Sequence, residues 1–225
     1  MKNPLTIGIW VNHFPLLSES FISLKVLKLL ERGYMVQVFC GSKNQPLLYG
    51  LFGAHPGLAI IVLDKKGGLL YAMQYPIKFI SNKRRAYQHY IASAINKNNP
   101  DILHVEFSGL ACANPDALKI IKSKLVVSCR GTAEKVKLIS DDKRGQQLKE
   151  VFKVVSKVHC VSEDMQRTIS PYCSEPNKIF INRPAVDTTY FQPHKVAEEG
   201  KDILVLSVGR LTIQKGFFIG LLAIK

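Results

Sequence analysis

The sequence predicts an α/β protein built on a doubly wound parallel sheet. Three observations carry that expectation. Short apolar runs rich in β-branched residues recur along the chain, they are nearly continuous rather than alternating, and amphipathic segments separate them. Near-continuous apolar runs are what strands covered by helices on both faces require. The runs are Leu5–Val11, Met35–Cys40, Leu58–Leu63, Ile102–Val105, Leu125–Cys129, Val158–Val161 and the short "KIFI" ending at Ile181.

Between the first two runs, "SFISLKVLKLLERG" sets Phe21, Ile22, Leu24, Val26, Leu27 and Leu30 along one helical stripe. Ser23, Lys25, Lys28 and Arg32 fall on the other side, and Gly33 supplies the stop. Strand, helix and strand at this spacing make a right-handed βαβ unit, and its repetition winds the sheet. Further on, "YPIKFISNKRRAYQHYIASAI" places Ile80, Tyr87, Ile91 and Ala94 at helical spacing, with Lys78, Lys83, Arg84 and Arg85 crowding its first half. After "KIFI" the chain becomes polar and Pro-punctuated, and residues 188–201 read as a linker. "DILVLSVG" then reads as a fresh strand and "FFIGLLAIK" as the opening of a helix. The expected organisation is a first domain over 1–187, the linker, and the first βα unit of a second domain over 202–225.

Composition narrows the partners. Of the 225 residues, 47% are hydrophobic and 21% charged, as in a globular protein. Lys and Arg exceed Asp and Glu by 31 to 17, a formal net charge of +14, which suits an anionic partner. Nucleic acid is disfavoured, because aromatics are not interleaved with the charges and no binding motif appears. The basic helix suits either a solvated face over a core stripe or an anionic lipid surface. Cys40, Cys112, Cys129, Cys160 and Cys173 include no C-x-x-C pair and read as reduced core residues of a cytoplasmic protein. No apolar run is long enough to span a bilayer, so the expected state is soluble or attached at a membrane surface.

The turn after the first strand, "NHFPLLSES", lacks the glycines of a dinucleotide-binding fingerprint, and no phosphate-binding P-loop occurs. It offers His13, Ser18, Glu19 and Ser20 at the carboxyl end of the sheet, where open α/β sheets bind ligands. Capping the helix and contacting a ligand are both open to these side chains. His104 and Glu106 end the fourth strand, Arg130 follows the fifth, and Ser162 and Glu163 open a helix after the sixth. For His104 a core role competes with a ligand role, and for Ser162 and Glu163 a capping role does. Near the end, "VGRLTIQKG" puts Arg210 and Lys215 five positions apart between a strand and a helix, where plain surface charge and a phosphate grip are both open readings.

Four stretches together resemble family 4 retaining glycosyltransferases of the GT-B architecture. "GRLTIQKG" is similar to that family's G-R-L-x-x-x-K-G loop, and "INRPAVDTTYFQP" to its V-D-x-x-x-F-x-P segment before the linker. "VHCVSEDMQRTI" resembles its V-S-E strand end, and "HFPLLSESFI" the F-P-x-x-S-E-T-F-I opening of exopolysaccharide members such as colanic acid transferases. The resemblance implies a Rossmann-like first domain that binds a saccharide or lipid-linked saccharide acceptor through His13, Ser18, Glu19, Ser20, His104, Glu106, Ser162 and Glu163. It implies a second domain that binds a nucleotide-sugar, with Arg210 and Lys215 on the donor pyrophosphate and no metal or other cofactor. Arg130 stands where many members carry a His beside the reacting sugar. An Arg cannot serve as a base, so its implied role is to bind sugar oxygens or phosphate charge. The family's donor-contacting carboxylate pair lies beyond Lys225, which implies a truncated chain unable to catalyse transfer alone. A non-catalytic saccharide-binding relative is the alternative.

Overall fold

The computed structural model describes residues 4–74, 82–186, 188–192, 205–209 and 211–224. The chain divides into two units, Met1–Pro184 and Ala185–Lys225.

The first unit is a sheet of seven strands: β1 (Thr6–Phe14), β2 (Met35–Lys43), β3 (Leu58–Val62), β4 (Ile102–Val105), β5 (Lys124–Cys129), β6 (Lys157–Cys160) and β7 (Ile179–Ile181). All neighbours pair in parallel, in the order β3-β2-β1-β4-β5-β6-β7. β1 lies between β2 and β4, with Ile9 opposite both Val38 and His104. Strand order reverses at that point, so the crevice at the carboxyl ends of β1 and β4 is the topological switch point. Each expected strand of the unit forms, within one to three residues of its expected ends.

Helices cover both faces, which is why the strands carry no polar side. They are α1 (Ser20–Glu31), α2 (Gln45–Phe52), α3 (Lys65–Gln74), α4 (Lys83–Asn98), α5 (Ser108–Ala113), α6 (Pro115–Ile120), α7 (Thr132–Lys135), α8 (Lys137–Ser140), α9 (Asp142–Val154) and α10 (Glu163–Ile169). One core joins Ile9, Val11, Val36, Val38 and Cys40 to Ile22, Val26 and Leu30 of α1 and Phe52 of α2. The other joins Trp10, Phe39, Leu103, Val105, Val127 and Val158 to Ile91 and Ile95 of α4 and to Leu148, Val151 and Phe152 of α9. Each such aliphatic side chain contributes about 1.5–3 kcal/mol of transfer free energy. All five cysteines are buried and free. Burial pushes the thiols of Cys40 and Cys112 up to about 11 and that of Cys160 to about 12, so they stay protonated.

One helix is rotated relative to expectation. In α1 the buried positions are Ile22, Ser23, Val26 and Leu30, while Phe21 and Leu24 are exposed and Lys25 is half-buried. Its inner stripe is the one that packs on Ile9 and Val11 of β1 and Val36 and Val38 of β2, not the widest apolar arc. In α4 Tyr87, Ile91 and Ala94 pack on the core as expected, joined by the buried Ala86, Gln88, Ala92 and Ile95, and Lys83, Arg84 and Arg85 are exposed. Lys78 and Ile80 lie outside the described residues. Gly33 ends α1 as expected, with φ of 79°, a conformation that costs a glycine little.

In the second unit the expected helix forms as α11 (Phe217–Ala223), preceded by a 3-10 turn over Ile213–Lys215. The strand expected over 202–209 does not form in its described part, 205–209, where Val205, Leu206 and Val208 are exposed. A parallel strand needs a neighbouring strand to take its N–H and C=O groups, and no described residue of this unit supplies one.

Candidate functional site

The polar side chains of the first unit gather at the switch point. Glu106, the residue after β4, is wholly buried at the carboxyl edge. Burial alone would push its carboxyl up, but His104, Lys25 and Arg130 outweigh burial and hold it below the usual carboxylate range. Lys25 reaches it from α1, with Nζ 2.5 Å from Oε1. Arg130 reaches it from the end of β5, with Nη2 3.0 Å from Oε2. Two cations on one buried carboxylate leave the cluster with an excess positive charge, and both remain partly accessible, at 28% and 14% of the side chain.

Three supports set Arg130. Its Nη2 also donates to Ser128 Oγ at 3.0 Å. Its guanidinium lies over the Phe21 ring, 4.6 Å from the centroid, an arrangement favoured by the ring quadrupole. Its backbone N–H donates to Glu134 Oε2 at 3.1 Å. Gly131, at φ of 72°, turns the chain so that α7 brings Glu134 back beneath it. The other Glu134 oxygen accepts from Ser108 Oγ and, at 3.0 Å, from Arg144 Nη2 of α9. Glu134 and Arg144 are 0% and 3% exposed.

His104 sits between the cluster and the sheet, with Nε2 2.7 Å from Ser128 Oγ and Nδ1 3.4 Å from Lys25 Nζ. Burial lowers its pKa to about 3, with Lys25, His159 and Arg130 adding to the shift and Glu106 opposing it. The sign follows directly. A base with a depressed folded pKa stays neutral while the unfolded chain takes up a proton below about pH 6.5, so its contribution to stability is lost as pH falls from there toward 3. Between pH 6.5 and 5 the loss is about 2 kcal/mol. Urea unfolding of the wild type and of His104→Gln at the two pH values should differ by about that amount. Glu19 and Glu134, whose carboxyls burial pushes up, shift stability the other way on acidification, and His159, which burial holds down, shifts it the same way, so it is the difference between wild type and variant that reads His104.

The remaining expected site residues divide. Glu19 lies near enough to His13, Arg130 and Glu106 to feel their charges. His13 Nδ1 is 2.6 Å from Ser42 Oγ at the exposed ends of β1 and β2. Ser18 and Ser20 are exposed, and the N-terminus of α1 has no side-chain cap. Ser162 caps α10, accepting from Met165 N–H at 3.1 Å, and Glu163 pairs with Arg183 at 2.5 Å, both ends exposed. Lys215 belongs to the second unit, where it is exposed, and Arg210 lies outside the described residues. Lys25, Phe21, Ser128, His159 and Glu134 were not expected at the site. Among the described residues no three His, Cys, Asp or Glu side chains gather as a metal ion would require.

No curated protein matches the sequence. Among solved structures, Anabaena HepE in complex with UDP-glucose is similar over 82% of this chain and 45% of its own, at 10% identity and a TM-score of 0.57. Sucrose-phosphate synthase from Thermosynechococcus elongatus matches over 84% of this chain and 50% of its own, at 10% identity and a TM-score of 0.56. A glycosyltransferase from Rickettsia africae ESF-5 matches over 87% and 47%, at 18% identity and a TM-score of 0.50. The chain thus spans about half the length of each, and the shared part is the α/β fold of GT-B proteins. The family model Glycosyltransferase Family 4 matches residues 25–190, a span that runs from Lys25 through the whole switch-point cluster to the end of the sheet; the chain belongs to Glycosyltransferase Family 4.

Proposed function

We propose that this chain is the acceptor-binding part, with the start of the nucleotide-sugar-binding part, of an enzyme that moves a sugar from a nucleotide-sugar to a growing polysaccharide or lipid-linked saccharide, with retention of configuration. The observation that carries the reading is the Lys25–Glu106–Arg130 cluster at the switch point of a family 4 sheet. Its accessible N–H groups suit sugar oxygens, and the ring of Phe21, 37% exposed beside Arg130, suits the apolar face of a sugar. Lys25 and Arg130 orient the acceptor; Arg130, permanently charged, takes no proton from it. Arg210 and Lys215 hold the donor pyrophosphate and stabilise the charge that develops on the leaving diphosphate, an electrostatic role without a metal. The complex of HepE with UDP-glucose supports a nucleotide-sugar donor.

The exposed Lys83, Arg84 and Arg85 of α4 suit a peripheral contact with anionic lipid at the cytoplasmic face of the membrane. Among the described residues no helix is long and apolar enough to cross a membrane. Incubation of the complete enzyme of which this chain is a part with labelled nucleotide-sugars and a saccharide acceptor fraction tests the reading. Label should enter the acceptor from one donor class, and its absence with every donor would refute transfer.

A further inference from the structure

An unbroken line of hydrogen bonds leaves the switch-point cluster and runs sideways through the sheet, and the transfer chemistry does not use it. From Lys25 Nζ it passes to His104 Nδ1 at 3.4 Å, then from His104 Nε2 to Ser128 Oγ at 2.7 Å. From Ser128 Oγ it continues to His159 Nδ1 at 2.8 Å, and from His159 Nε2 to the backbone carbonyl of Asn182 at 2.9 Å. His159 is held by rings on two sides, stacked on Phe180 at 5.4 Å and edge-on to His104 at 5.8 Å.

The two ends fix every proton between them. A carbonyl only accepts, so His159 Nε2 carries a hydrogen. Its Nδ1, bare in the neutral ring, must take the one hydroxyl proton of Ser128. With that proton committed, Ser128 Oγ can only accept, and it does so from His104 Nε2–H and from Arg130 Nη2. His104 is left with a bare Nδ1 facing Lys25, an ammonium that only donates. Reversing any link sets two donors or two lone pairs against each other. Burial keeps both rings neutral, and the charges of Lys25 and Arg130 act in the same direction while Glu106 opposes them.

We propose that Ser128 and His159 are positioning residues that hold His104 in its Nε2–H tautomer and keep the Nδ1 lone pair turned toward Lys25 at the open edge of the sheet. A lone pair beside an ammonium complements a hydroxyl, which donates to the first and accepts from the second. That last role rests on the saccharide-acceptor reading above; the tautomer does not.

The test is a long-range ¹H–¹⁵N correlation spectrum of the imidazoles in the ¹⁵N-labelled chain near neutral pH. His104 and His159 should each show one protonated nitrogen, Nε2, and one bare nitrogen, Nδ1. Ser128→Ala should turn His104 into a mixture of tautomers, because Nε2–H loses its acceptor while the Glu106 carboxylate, 3.8 Å from Nδ1, draws a proton there against Lys25, and His159→Leu, which frees the Ser128 hydroxyl to donate to Nε2, should do the same. His159→Gln should preserve the single tautomer, because its amide N–H can donate to the Asn182 carbonyl while its oxygen accepts from Ser128. Backbone amide spectra establish that each variant is folded, and should Ser128→Ala fail to fold, the Leu and Gln variants carry the comparison. A cationic or Nδ1–H His104 in the wild type would overturn the proposal, as would an unchanged tautomer in folded Ser128→Ala or His159→Leu. Transfer activity is read separately, so failure of the relay and failure of the proposed function are distinguishable.

Discussion

Replacing Glu134 with alanine is expected to lower the stability of the first unit by about 3–5 kcal/mol, the usual consequence of leaving a buried charge without its partner. Arg144, 3% exposed, would keep its positive charge in the core with no carboxylate facing it. Its Nε already has no partner among the described residues, so nothing nearby is poised to compensate. Ser108 and the Arg130 backbone N–H lose their acceptor as well. A loss of that size is a large fraction of the 5–15 kcal/mol by which ordinary domains are stable. For a unit of this length it should lower the melting temperature by roughly 6–20 °C.

Burial pushes the Glu134 carboxyl up even against Ser108 and Arg144, which shows how much solvation the pair gives up. Apolar replacement of both partners, Glu134→Met with Arg144→Met, should therefore recover much of the loss. Recovery should be incomplete, because an unsatisfied Arg130 N–H costs about 1–3 kcal/mol. Urea unfolding of the two single variants and the double variant checks this. Additive single effects, with no recovery in the double, would show that the two side chains do not act as a pair.

The largest effect on activity is expected at the donor loop. In the complete enzyme containing this chain, Arg210→Ala and Lys215→Ala should each reduce transfer by about 10²–10³-fold, the scale on which a single stabiliser of transition-state charge acts. Neither should disturb the first unit, since Lys215 is exposed within the second. The fall should appear in kcat/KM for the donor, with the acceptor KM little changed. Normal turnover in either variant would remove the pyrophosphate assignment.

The sheet was legible because its chemistry is local. A strand covered on both faces must be apolar throughout, and runs such as "VQVFC" and "LVVSC" say so without their neighbours. His104, Glu106 and Arg130 were legible as candidates because polar residues just after apolar runs fall at the carboxyl edge. What periodicity does not contain is register between distant strands. Ser128 pairs with His159 across β5 and β6, and His104 pairs with Val126 across β4 and β5. Within one strand each looks like an isolated polar residue, and only the parallel register makes them a line. A helical wheel ranks faces by hydrophobicity and so puts Lys25 on the solvent side of α1. A buried carboxylate 81 positions away draws it inward instead. Phe21 was misread for the complementary reason, since its ring lies outside the core and against the Arg130 guanidinium.

On the proposed function, the cluster around Glu106 orients the acceptor of a glycosyl transfer. The decisive measurement is labelled transfer by the complete enzyme containing this chain, with donor and acceptor varied separately, in the wild type and in Arg130→Met. Incorporation is expected from the wild-type enzyme, and from the variant an acceptor KM raised about tenfold or more, the loss of roughly 1.4 kcal/mol of binding, with the donor KM unchanged. An unchanged acceptor KM, or a change confined to the donor KM, would contradict it.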